Sequence, residues 1–253
     1  MARDDAYYAQ LIRELLSNVG YASGRRRFPR TLTAWDAVRI TGRMHVELDQ
    51  ACVERERTAA GRRLKIACAP GCHYCCVQPV TVFLPEAIRI AEWLMLPRNA
   101  EMLAAFRAAY PAWKQAVGDG FEPILDAAAR EDIPELRRAH LRQQARGILC
   151  AFNRDGLCGV YEVRPAACRQ HIALDTSEQC QRQNRTGREE DAPTGIEFAP
   201  VESALVQSRL MARAMHHALG GDRLRPKALC QAVWDVLESD DPKWKAVAPA
   251  PEV

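Results

Sequence analysis

Ten cysteines fall in one chain of 253 residues, and eight of them lie in two groups, Cys68–Cys76 and Cys150–Cys180. The first group reads Cys68-Ala69-Pro70-Gly71-Cys72-His73-Tyr74-Cys75-Cys76, four thiols in nine residues on a segment that Pro70 and Gly71 keep irregular. The second holds Cys150, Cys158, Cys168 and Cys180. The groups are 74 positions apart, Cys76 to Cys150, with helix-like sequence between them, so a fold using both must close a long loop.

How thiols are used depends on the compartment. Residues 1–20 alternate polar and apolar positions, and Asp4, Asp5 and Glu14 interrupt any apolar core of a signal peptide. No apolar run approaches the length of a membrane helix. The expected location is therefore cytoplasmic, where permanent disulfides are rare and dense cysteine implies metal or redox chemistry. Soft thiolates favour zinc, iron or an iron–sulfur cluster over magnesium or calcium. All eight thiols are candidate metal ligands: Cys68, Cys72, Cys75, Cys76, Cys150, Cys158, Cys168 and Cys180. Eight could fill two centres, with the neighbours Cys75 and Cys76 facing different ones. Arg164 and Arg169 are expected to offset thiolate charge, Tyr161 to cover the site, and His73 and His171 to stand beside it. Cys52 and Cys230 lie on apolar helix faces and are read as small buried hydrophobes.

Apolar spacing elsewhere is helical. Tyr8, Leu11, Ile12, Leu15 and Leu16 form one stripe. A helix is expected within Thr33–Ala60, interrupted near Gly42, and another opens at Pro85 and stops before Pro97. Residues 100–117, limited by Pro111, and 134–148 continue the pattern. Met211, Met215 and Leu219 precede an end at Gly220-Gly221, and Pro226 opens a last helix buried through Leu229, Val233, Val236 and Leu237. Only Pro79–Phe83 and Gly159–Val163 read as strands. The expected fold is mainly α: one helical domain around an irregular cysteine-rich metal centre, with at most short β segments. Residues 1–64 would be a helical cap, 65–185 the core, 186–246 completing helices and 247–253 a flexible tail.

The charged residues, 35 basic and 32 acidic, give a net charge of +3 with no basic face. This speaks against nucleic acid as a partner and leaves an unidentified protein or small molecule. His-Glu-x-x-His and Gly-x-x-x-x-Gly-Lys motifs are absent, so whether the chain is an enzyme stays open.

Cys68–Cys76, followed by Pro79-Val80-Thr81-Val82 and Pro85-Glu86-Ala87, resembles the YkgJ-like cysteine-cluster family described as a zinc- or iron-chelating domain. Cys150, Gly156 and Cys158, then Val160-Tyr161-Glu162-Val163-Arg164-Pro165 and Cys168-Arg169, extend the likeness across residues 65–185. The resemblance implies a zinc, iron or iron–sulfur centre on the eight named cysteines. A related group, associated with methylation of flagellin lysines, and the radical-enzyme spacing Cys68-x3-Cys72-x2-Cys75 leave an alternative. That alternative is an iron–sulfur enzyme using S-adenosylmethionine.

Overall fold

The computed structural model describes residues 5–17, 32–191, 197–219, 226–241 and 244. These residues form helices α1 (Asp5–Ser17), α2 (Ala34–Gly61), α3 (Leu84–Met95), α4 (Ala100–Val117) and α5 (Glu122–Ala129). Helices α6 (Ile133–Gln144), α7 (Ala166–Arg169), α8 (Glu178–Thr186), α9 (Ala199–Ala218) and α10 (Leu229–Glu238) follow. Four two-residue strands complete the list: β1 (Thr81–Val82), β2 (Asn153–Arg154), β3 (Leu157–Cys158) and β4 (Lys227–Ala228). The fold is mainly α with minor β, as the periodicity predicts.

Helix α3 is the centre of the packing. Pro85 stands in its first turn, where a missing N–H costs no helical bond. Ala87, Ile88, Ile90, Ala91 and Leu94 are all buried, on more than one face of the helix. A helix apolar nearly all round needs partners on several sides, and α2, α9, α10 and α4 supply them. Met95, the last residue of the helix, is 43% exposed.

Helix α2 is longer than the sequence pattern predicts, since it does not break at Gly42. A Cβ at Gly42 would lie 2.6 Å from Arg89 Nη1, so this glycine admits α3 beside α2. Its start is fixed by a capping box: Thr33 Oγ1 accepts from the Asp36 amide while the Asp36 carboxylate accepts from the Thr33 amide. Buried Asp36 also accepts from Tyr8 Oη at 3.1 Å, which ties α1 to α2. Proline does not limit α4 either. The helix runs through Pro111, where the lost hydrogen bond is offset by burial of Tyr110 and Trp113 on either side.

Pro79–Phe83 does contain a strand, β1, and it pairs antiparallel with β4, Thr81 opposite Ala228 and Val82 opposite Lys227. Pro226 therefore leads into β4, and α10 starts three residues later than Pro226 alone would place it. Gly159–Val163 is not a strand; Tyr161–Val163 form a 3-10 turn, and the strands lie just before it as the hairpin β2–β3. The ends predicted at Gly220-Gly221 and for 247–253 fall outside the described residues.

One apolar cluster runs from Tyr8 and Leu11 through α2, α3, α4 and α9 to Val233 and Val236 of α10. In it Phe106 stacks on Phe152 with ring centroids 4.2 Å apart, and Tyr110 stacks on Trp234 at 4.1 Å. Phe106→Ala should cost about 3–5 kcal/mol, because it removes a fully buried ring and leaves Phe152 without its partner. Denaturant unfolding followed by far-UV circular dichroism checks this.

His45 of α2 is 2% exposed and lies 3.6 Å from Glu86 of α3. Burial lowers its pKa despite the attraction of Glu86, and Arg169 and Arg89 add to the lowering. The unfolded chain thus takes up a proton near pH 6.5 that the folded chain refuses. Stability is fully present above that pH and is lost as pH falls toward the lower folded value, by up to about 1.4 kcal/mol per pH unit. His45→Asn should flatten this part of the slope relative to the parent, as read from unfolding curves between pH 7.5 and 5.

Candidate functional site: a thiol-lined cavity

Two backbone arrangements bring the cysteine groups together. The Cys150 amide donates to the Cys76 carbonyl at 2.9 Å, joining the groups directly. Residues 65–67 pair with 173–175: Ala67 N–H donates to the Ala173 carbonyl at 2.9 Å and Asp175 N–H to that of Lys65 at 2.7 Å. The hairpin β2–β3 turns at Asp155 and Gly156, both at positive φ, as tight hairpin turns require. Gly156 also meets the first group: a Cβ there would lie 2.9 Å from the Gly71 carbonyl oxygen.

Between these segments lies a cavity of ≈ 740 Å³. Cys68, Cys72, Cys75, Cys76, Cys150, Cys158 and Cys168 line it, with Trp113, Phe121, Phe152 and Leu157 on apolar parts of the wall. Cys180 does not line it but sits on α8, close enough to Cys68 and Cys72 for their charges to raise its pKa alongside burial. A second cavity of ≈ 680 Å³ shares the wall residues Trp113, Val117 and Phe121.

The expected metal centre is not formed. Among the described residues, no group of three or more His, Cys, Asp or Glu side chains is placed to hold a metal ion. This corrects the fold reading of a helical domain around a metal centre, and the zinc, iron or iron–sulfur cofactor with it. It also removes the metal-binding function, the resemblance to the chelating family on which it rested, and the alternative enzyme using S-adenosylmethionine. That enzyme would need Cys68, Cys72 and Cys75 to converge on one cluster. The physical reason lies in what the sulfurs do instead. Cys68 accepts a hydrogen bond from the Ala173 amide at 3.3 Å, and Cys150 Sγ lies 3.5 Å from Cys230 Sγ. The thiols are spread along the walls of the cavity.

The vicinal pair also departs from expectation. Tyr74–Val77 is a 3-10 turn, and within it the neighbouring Cys75 and Cys76 line one and the same cavity. The Cys75 thiol keeps its proton: the influence of the neighbouring Cys76 pushes its pKa far up. Cys76 goes the other way. The influence of the neighbouring Cys75 outweighs burial, and its pKa falls to about 6. Asn153 is held in place by its Oδ1, which accepts from the Gly156 amide at 3.3 Å. Cys158 is pushed up to about 11 and Cys168 well above the ordinary value, both chiefly by burial.

The expected flanking residues sit around this wall in different ways. Arg169 is buried and donates to the carbonyls of Arg164 and Glu162, each at 2.7 Å, and to Asp49 of α2. It therefore fixes the loop before Cys168 onto α2. The Arg164 guanidinium lies 3.7 Å from the centre of the Tyr161 ring, and Tyr161 is 61% exposed at the cavity mouth. His73 Nδ1 is 3.3 Å from the Gly71 carbonyl oxygen, steadying the Cys68–Cys76 loop. His171 lines the cavity from an exposed position.

Cys52 is buried and reaches the Arg169 carbonyl with its sulfur, as a packed thiol should. Cys230 is buried too, but it lines the thiol cavity opposite Cys150. Nothing in its spacing announces this, since it lies 80 positions from Cys150.

With its pKa lowered beside Cys75, Cys76 should be alkylated by iodoacetamide with a midpoint near pH 6. Cys75→Ala should move that midpoint up toward that of an ordinary thiol, about 8.5. Peptide-resolved alkylation between pH 4.5 and 9 measures both.

No protein-family model matches the chain, and neither a curated protein nor a solved structure matches it.

Proposed function

We propose that the cavity is a dithiol–disulfide exchange site, in which Cys76 attacks a small disulfide-bearing substrate and Cys75 resolves the product. The observation that carries this reading is the placement of two adjacent cysteines, Cys75 and Cys76, on the wall of a cavity large enough for a small molecule. Apolar surface from Trp113, Phe121 and Leu157 would cover the substrate's carbon, while Arg164 at the mouth suits an anionic end.

The exchange balances without another reactant. The Cys76 thiolate forms a bond to one substrate sulfur, and the substrate disulfide breaks. The departing thiolate takes the proton that Cys75 holds. Cys75 then attacks the Cys76 sulfur, the second substrate thiolate leaves, and a Cys75–Cys76 disulfide remains, so the substrate is reduced by two electrons and the protein oxidised by two. A ring closed between neighbouring residues is strained and easily reduced again. Cytoplasmic location fits this cycle, because a reducing thiol pool would restore the dithiol.

The lowered pKa of Cys76 gives only a modest advantage at pH 7, since a more acidic thiol is also a weaker nucleophile. The advantage grows in acid. From pH 7 to 6, the parent's exchange rate with 2-hydroxyethyl disulfide should fall about twofold, whereas that of an ordinary thiol falls about tenfold. Cys76→Ser should abolish exchange, and Cys75→Ala should accumulate the mixed disulfide on Cys76. A parent protein that reacts no faster than a free thiol at pH 6, or a Cys76→Ser variant with unchanged rate, would sink the proposal.

A further inference from the structure

We infer that Cys150 and Cys230 form a second, inner dithiol that draws oxidation from the Cys75–Cys76 pair by internal exchange. This rests on the exchange reading above and extends it to a pair that the motif spacing does not reveal. The two sulfurs are 3.5 Å apart and share a hydrogen bond, a separation that modest side-chain rotation can close to a disulfide. Cys230 is only 1% exposed, so reagents in bulk water do not meet its sulfur directly. Its access is through the cavity that it shares with Cys76.

Two tertiary links create the arrangement. The Cys150 amide bonds to the Cys76 carbonyl, which sets the inner pair beside the outer one. The pairing of β1 with β4, extended by the Leu229 amide donating to the Val80 carbonyl at 2.9 Å, delivers the first turn of α10 to the same wall. Bonding to Cys230 and burial also keep Cys150 protonated, so it is inert toward dilute reagents and reacts with a disulfide held next to it.

In the transfer, Cys150 Sγ forms a bond to Cys76 Sγ while the Cys75–Cys76 bond breaks, and Cys75 leaves with the proton from Cys150. Cys230 Sγ then bonds to Cys150 Sγ, and Cys76 leaves with the proton from Cys230. The outer pair is reduced by two electrons and the inner pair is oxidised by two. The outer pair is thereby free to accept a second disulfide, so the folded chain consumes two equivalents in place of one.

The test is a time course on the full reduced chain. It is treated with one and then two equivalents of 2-hydroxyethyl disulfide, quenched in acid, alkylated and mapped by mass spectrometry. The expected result is an early Cys75–Cys76 disulfide that gives way to Cys150–Cys230, followed by re-oxidation of the outer pair with the second equivalent. Cys230→Ala, with folding checked by circular dichroism, should stop after one equivalent. Persistence of reduced Cys150 and Cys230 beside a stable Cys75–Cys76 disulfide overturns the inner pair and leaves the exchange site standing. Absence of any Cys75–Cys76 oxidation overturns the exchange reading itself. In a Cys75→Ala, Cys76→Ala double variant, Cys150–Cys230 should form at least about tenfold more slowly than in the parent. An unchanged rate there would mean direct oxidation and would overturn the relay.

Discussion

The hydrogen bond from the Cys150 amide to the Cys76 carbonyl joins two segments that the chain keeps far apart, and both segments line the cavity. Its 2.9 Å length is ordinary, but its setting is not. Loops of this kind carry many backbone groups that need partners, and each bond made across the gap fixes both segments at once. The same logic holds at the other end, where residues 65–67 and 173–175 satisfy one another. The walls of the cavity are therefore loops held by backbone pairing, while the helices behind them supply the apolar core.

Those helices also set the chemistry of individual thiols. Arg169 binds the Glu162–Arg164 loop to α2, which holds Cys168 half-buried on the cavity wall, where its thiol stays protonated. The 3-10 turn at Tyr74–Val77 sets two thiols side by side, and their mutual influence pushes the pKa of Cys75 up and that of Cys76 down. Chemically identical residues in adjacent positions thus receive different roles from a bend in the backbone. None of the described helices is long and apolar enough to cross a membrane, and the apolar surface of α3 is used inside the fold.

What the sequence by itself determined is the helical character and most of its limits. Periodic apolar positions define α3, α4 and α10, and Thr33 with Asp36 marks the start of α2, because these signals act over a few residues of one chain segment. Local signals failed where a distant partner intervened. Gly42 reads as a break but gives room to Arg89, and Pro111 reads as a limit but is carried by the burial around it. The two cysteine groups were equally legible as a shared site, since their density cannot be missed. Tertiary structure alone decided what that site is. Whether thiols converge on an ion or spread along a wall depends on side-chain directions to within an ångström or so, and spacing does not encode them. Cys230 joined the wall only because β4 pairs with β1, a contact between segments more than 140 positions apart. A pattern of residues reports what chemistry is available; the closure of long loops settles which sulfurs meet.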